Sequence, residues 1–458
     1  MPEFDDEKRK PHILIVSNDV VNVKMAGTGM RYLELARALS DYLDVTLAVP
    51  TETNLIIDGV QLVRYWEDRP HSLEVLVENS DVALISGYMV YKFPFLKTTE
   101  THLVVDLYDP MGLENLHYYL DKPIEVQDAL NQQAVEVAND LVQVGDFFIC
   151  GNERQRDYWM GVLVSNGRIN PRTFAQDASL RALIDIVGIG FATREPANRP
   201  FLKGLDPMFP SDCRIILWGG GIWNWLDPIT LIKAWPQVLS HHPEARLIFL
   251  GTRHPNPQVP HHVIVDHAEK LAAEIGEKDH TIRFIEWVDY EAREALLSES
   301  DIGVTLHPVH VETRYSLRTR VLDYMWARLP ILITDGDITS EWVQTFQIGR
   351  VVKEFDVEGV SQALNSMLDS PKVDWIPAFN ALRSRFAWNQ VIAPLRNYCL
   401  NPYYAPDRGE RHSRNPLVIP RQGRVEKVVQ ILREKGIKGL VGQILYHLHW
   451  LLTRQKEI

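Results

Sequence analysis

Short runs of apolar and β-branched residues recur along the chain, separated by segments whose apolar positions fall three and four apart. In the first half the runs are HILIVSND (12–19), DVTLAVP (44–50), VQLVRYW (60–66), DVALISG (81–87), HLVVDLYD (102–109), DFFICGN (146–152) and DIVGIG (185–190). Several are apolar at nearly every position, the pattern of strands covered on both faces of a parallel sheet. Between them, MRYLELARALSDYL (30–43) puts Tyr32, Leu33, Leu35, Ala36, Leu39 and Leu43 on one helical face. A second series follows residue 210: CRIILWGGG (213–221), ARLIFLG (245–251), TIRFIEW (281–287), DIGVTLHP (301–308) and PILIT (330–334). The stretch 191–212 holds four prolines without periodicity and reads as a linker. The pattern predicts an α/β protein of two doubly wound Rossmann-like domains, 10–195 and 210–400, facing a cleft.

Beyond residue 400 the pattern changes. Residues 401–420 are loop-like, with four prolines. Ile437, Leu440, Val441, Ile444, Leu445, Leu448, Leu451 and Leu452 then predict an amphipathic helix, so 401–458 is read as a helical extension. This extension is basic: from residue 408 on, eleven Lys/Arg face four Glu, a net +7 within a chain of −12. An anionic membrane surface or a protein partner would suit it. The acidic remainder argues against a nucleic-acid binder. A length of 458 residues exceeds what one core supports, in line with two domains. The charged N-terminus, the three scattered cysteines and the lack of a long apolar run lead us to expect a cytoplasmic protein, peripheral to a membrane at most.

Three stretches carry candidate chemistry. After the first run, Gly27 and Gly29 open a predicted helix, where backbone amides can approach a ligand. The dinucleotide fingerprint is absent, because position 32 is Tyr. GGGIWNWLDP (219–228) repeats the device. Gly220 and Gly221 allow close backbone approach, Trp223 and Asn224 follow them, and Asp227–Pro228 is an N-cap with Pro at the first helical position. The third stretch is ETRYSLRTRVLDYMW (312–326). Its spacing predicts a helix from Leu317, capped by Ser316, with Arg318 and Arg320 in the first turn. A surface Arg320–Asp323 pair would explain some of these charges. Cations are nevertheless disfavoured at a helix N-terminus, so two arginines there point to a bound anion. Asp323, further along, is placed to accept hydrogen bonds from a diol. Tryptophans such as Trp287, near strand ends, suit stacking on a base or sugar.

These segments resemble the two-domain GT-B glycosyltransferases, in particular the retaining, family-4-like group. LHPVHVETRYSLRTRVLDYMWARLPILIT (306–334) is similar to that group's E-x7-E element and the strand after it. Asp323 falls on the second Glu position, which implies ribose binding. Tyr315 occupies the first Glu position, and Glu312 is the candidate substitute. IVSND…GTG…LARAL…VTLAVP resembles the group's first strand, glycine loop and helix. ILWGGGIWNWLDPITLIKAW resembles its "vGr…KG.d.li.A" segment, without the Arg and Lys often placed on the diphosphate. Arg318, Arg320 or Arg253 would supply the missing charge. The resemblance spans roughly residues 10–400. It implies a hexosyl or deoxyhexosyl transfer with retention in polysaccharide or glycoconjugate synthesis. The donor would be a nucleoside diphosphate sugar and the acceptor a saccharide or lipid-linked group, with no cofactor and no metal. Asp109 would orient or deprotonate the acceptor hydroxyl, and His307 and His310 read as polar loop residues. A catalytically silent nucleotide-sugar-binding scaffold, and an epimerase or phosphorylase of the same fold, are the alternatives.

Overall fold

The computed structural model describes residues 9–410, apart from 121, 193, 255–258 and 260, together with Arg433 and Ile437. Of the predicted amphipathic helix at 437–452, only Ile437 is among the described residues. Every apolar run of the first half becomes a strand: β1 (His12–Val16), β2 (Asp44–Val49), β3 (Val60–Arg64), β4 (Val82–Ser86), β5 (His102–Asp106), β6 (Phe147–Cys150) and β7 (Ile184–Ile186). They pair in parallel in the order β3-β2-β1-β4-β5-β6-β7. The second half gives β8 (Arg214–Gly219), β9 (Ala245–Leu250), β10 (Ile282–Ile285), β11 (Ile302–Thr305), β12 (Ile331–Thr334) and β13 (Gly349–Val352). Its order is β10-β9-β8-β11-β12-β13, again parallel. Central strands such as β4 and β12 are buried along their whole length, as their unbroken apolar sequences require. Helices cover both faces, so both domains are Rossmann-like.

In each sheet the strand order reverses beside the first strand of its domain, at β1/β4 and at β8/β11. The crevice outside the carboxyl ends of the strands at such a switch point is where open α/β sheets bind ligands. Both glycine loops emerge there.

The linker region and the last helices depart from the expected segmentation. Phe191 pairs with Ala387 as a parallel bridge, and Phe191 N donates to Phe386 O at 2.9 Å. Beyond that point the chain packs on the first sheet rather than the second. Phe147 stacks on Tyr398, and Tyr403 Oη donates to Ala182 O at 2.6 Å. The expected second-domain limit at 400 and tail from 401 therefore divide a stretch that the fold keeps together. The compact unit runs to Arg408.

One buried pair anchors this return. Arg168 Nε lies 2.7 Å from Asp407 Oδ2, with side chains 1% and 6% exposed, and Arg168 also donates to Gly145 O at 3.0 Å. Removing one partner strands the other as an uncompensated buried charge. Asp407→Ala should lower unfolding free energy by about 3–5 kcal/mol in urea titration. A change below about 1 kcal/mol would show the pair to be solvated.

Candidate functional site

The two switch points line one cavity of about 470 Å³. The first sheet contributes Gly27 and Asp109 with the loops around them. The second contributes Gly219–Gly221, Trp223, Trp287, Glu312, Ser316, Arg318, Arg320 and Asp323. The structure thus brings together eleven of the fourteen residues singled out in the sequence. Domain-to-domain contacts close the floor: Trp287 Nε1 donates to Met25 O at 3.0 Å, and Tyr108 Oη to Leu317 O at 2.9 Å.

The stretch 312–326 folds differently from its sequence expectation. A short helix, Val311–Tyr315, ends at Ser316, and a second, Thr319–Trp326, starts after Arg318. Ser316 is therefore a C-cap, its hydroxyl donating back to Thr313 O at 3.2 Å. His310 caps the first helix instead, its Nδ1 accepting from Thr313 N at 3.4 Å. The break is held by a buried ion pair, Arg318 Nη2 to Glu312 Oε2 at 3.2 Å. Arg318 Nε also lies 3.5 Å from Asp337 Oδ2. Glu312 is thereby fixed in the cavity wall, whereas the Tyr315 ring packs on Tyr158.

Tyr324 sets the height of the second helix. Its hydroxyl accepts from Gly219 N at 2.7 Å and faces the carbonyls of Leu217 and Val304, both at 3.0 Å. This ties the helix to β8 and β11 and aims Arg320 at the glycine loop. Arg320 donates to Gly221 O and lies 5.0 Å above the Trp218 ring, and its buried Nη1 has no protein partner. Burial pulls its pKa down to about 10, still cationic at neutral pH. The alternative of a surface Arg320–Asp323 pair is not what the structure shows. Asp323 pairs with Arg293, from the helix Tyr290–Glu299, and both side chains are largely buried. Burial raises the Asp323 carboxyl to about 6, against the pull of Arg293 and Arg320.

On the opposite wall, Asp109 hydrogen-bonds Glu114 of the helix Met111–Tyr118. Burial raises both carboxyl pKa values, that of Glu114 the more strongly; Asp109 raises Glu114 further, whereas the hydrogen bond with Glu114 pulls Asp109 down. Asp106 is different: Arg31 neutralises it at 2.7 Å with both side chains fully buried, a structural pair beneath the cavity.

Three expected residues, Gly29, Asn224 and Arg253, are not brought to the cavity. A Cβ on Gly29 would stand 2.2 Å from Val20 O, so this glycine serves the fold of its loop. Asn224 is exposed, and its side-chain oxygen accepts from Ile264 N at 3.4 Å. Arg253, with a side chain 75% exposed, lies 3.7 Å from Glu286 in a neighbouring hollow shared with His261 and His262. His307, mentioned above as a loop residue, is buried against Asp337 at 3.5 Å. Gly220 and Gly221 line the cavity, and the Trp223 ring lies so close over Gly221 that a Cβ there would meet it at 2.5 Å. Sequence reading missed Glu114, Arg293 and Tyr324. Of these, only Tyr324 carried a signal, as the aromatic neighbour of Asp323.

Two parallel Rossmann-like sheets with a cavity between their switch points define the GT-B fold. Residues 213–370, a third of the chain, match the model of the family Glycosyl transferases group 1. The second domain is thus a group 1 glycosyltransferase domain, and the chain has the GT-B fold. Solved structures agree on the fold. Sucrose-phosphate synthase from Thermosynechococcus elongatus aligns with TM-score 0.57 at 14% identity, over 85% of this chain and 98% of that one. Anabaena Alr3699/HepE in complex with UDP-glucose gives 0.59 at 15% identity, over 84% and 99%. An E. coli protein, trehalose-6-phosphate bound with UDP-2-fluoro glucose, gives 0.60 at 12% identity, over 86% and 100%. No curated protein sequence matches the chain. Among the described residues, no helix is long and apolar enough to cross a membrane.

Proposed function

We propose that the cavity transfers a hexosyl or deoxyhexosyl group, with retention, from a nucleoside diphosphate sugar to an acceptor hydroxyl. The observation that carries this reading is the unpartnered Nη1 of buried Arg320 beside the Gly220–Gly221 loop, with Arg318 and Arg293 on the same wall. A buried guanidinium with an idle donor costs stability unless an anion occupies the site. The similar solved structures that hold UDP-glucose and UDP-2-fluoro glucose support a nucleotide sugar as that anion. In the reaction, the bond from the anomeric carbon to the diphosphate oxygen breaks, and its electron pair stays on that oxygen. The acceptor oxygen bonds the same carbon, on the face the diphosphate leaves, and its proton passes to the departing diphosphate. Arg318 and Arg320 would stabilise the growing negative charge, Glu312 would hold a donor-sugar hydroxyl, and Asp109 would orient the acceptor. We place this chemistry in polysaccharide or glycoconjugate synthesis on the cytoplasmic side of a membrane.

Calorimetric titration with UDP, GDP and dTDP, followed by assays of donor hydrolysis and transfer, tests the proposal. Binding with no turnover of any nucleotide sugar would favour a scaffold and end the enzymatic reading.

Asp323 gives the site a pH signature. Ribose hydroxyls bond a carboxylate better than a carboxylic acid, so UDP-glucose should bind more tightly as pH rises through about 6. Asp323→Asn should remove that dependence. The same raised pKa means the carboxyl favours the folded state most at low pH, and that contribution is lost as pH rises through about 6. Thermal melts of wild type and variant, taken from about pH 4 to pH 7, should therefore diverge in the opposite sense to binding. Parallel curves would count against a buried, titrating Asp323.

A further inference from the structure

The cavity is electrically divided, and the division bears on which acceptors it admits. Arg293, Arg318 and Arg320 all belong to the second-domain wall. Among the described residues lining the first-domain wall there is no Lys or Arg, whereas Asp19, Asp109 and Glu114 are there. Charges already cancelled do not alter this. Arg31 neutralises Asp106 below that wall, and Arg318 neutralises Glu312 opposite it. The remaining polar groups suit hydroxyls: the Asp109–Glu114 pair, and Asn18, whose Oδ1 has no protein partner. Carboxylates and amide oxygens accept from hydroxyl groups, while a phosphate brought among them would meet like charge in a confined, weakly screened space. The idle Nη1 of Arg320, on a residue 7% exposed, independently marks the opposite wall as the anion's place.

We infer that the first-domain wall is an acceptor subsite for an uncharged saccharide, gripped through its hydroxyls by Asp109 and Glu114, and that it rejects acceptors phosphorylated near the reacting hydroxyl. This rests on reading the cavity as a glycosyl-transfer site, and it adds the acceptor's class. Glu114 becomes a specificity-determining residue that the sequence did not reveal.

Saturation-transfer NMR on the full chain tests this with glucose, N-acetylglucosamine and maltose, each set against its 6-phosphate. One arm uses wild type saturated with UDP, which occupies the arginine wall. A second uses Arg320→Ala without nucleotide, so that its result does not depend on UDP binding. In both arms at least one neutral sugar should bind, with its phosphate about tenfold weaker or worse. Glu114→Gln and Asp109→Asn should each weaken the neutral sugar and narrow the gap to the phosphate, with melting temperatures showing that both variants fold. A phosphorylated sugar binding as well as its parent, or no neutral sugar binding in either arm, overturns the inference. A chain that binds neutral sugars but gives no heat with any nucleotide would instead overturn the donor reading alone.

Discussion

Arg320→Ala should weaken UDP binding by roughly 30- to 150-fold while leaving uridine affinity nearly unchanged. The factor corresponds to about 2–3 kcal/mol, the usual loss when a charge-assisted hydrogen bond to an anion is removed. Arg320 gives the cleaner test of the two arginines at the start of the Thr319–Trp326 helix. Arg318 is paired with Glu312, so its removal leaves a buried carboxylate uncompensated and confounds binding with folding. Arg320 has no carboxylate partner, and its loss relieves a desolvated cation. The variant should therefore fold at least as stably as wild type, a result that melting curves would check. Calorimetry with UDP and uridine reads the difference. Equal losses for both ligands would mean that Arg320 shapes the wall rather than binding the diphosphate.

A second large effect is expected at Gly303 on β11. A Cβ there would meet the Tyr324 ring atoms at 2.5–2.6 Å, and that ring is pinned by its hydroxyl to β8 and β11. Neither partner can yield without shifting the Thr319–Trp326 helix. Gly303→Val should thus cost about 3 kcal/mol, at the upper end for overpacking a buried site. It should also abolish measurable UDP binding, because Arg320 and Asp323 ride on the displaced helix. Gly161→Ala serves as the control. This glycine lies within a helix with nothing inside 4 Å of the added carbon, so the change should be neutral or stabilising by up to about 1 kcal/mol. A Gly303→Val protein that unfolds at the wild-type urea midpoint would refute the account of how the helix is held.

The strands were readable because burial on both faces leaves an unbroken apolar run, which a single sequence displays directly. β13 escaped because GRVV is four residues long, lies at a sheet edge and has Arg350 exposed within it. The glycine loops and the cation-rich stretch 312–326 were also legible, since their local chemistry conflicts with an ordinary turn or helix start. What failed there was the point at which the helix begins. Ser316 is a good N-cap by type, yet the Glu312–Arg318 pair folds the chain into one short helix and a restart. Such a pair is a tertiary fact, set by burial against Asp337. Glu114 and Arg293 were invisible for a related reason. Each sits on a helix whose sequence looks like a solvated face, and each gains its meaning from a partner on a different element.

The bridge between Phe191 and Ala387 has a mechanical consequence. The chain passes from the first sheet to the second at one of these residues and returns at the other, and the two crossings lie side by side. Two adjacent covalent straps resist twisting and sliding far more than a swing about their common line. Any opening of the cavity is therefore steered along one angular path, like a book turning on its spine. The arginine wall and the carboxyl wall would part and meet again in the same alignment, so the division of charge between them survives each cycle.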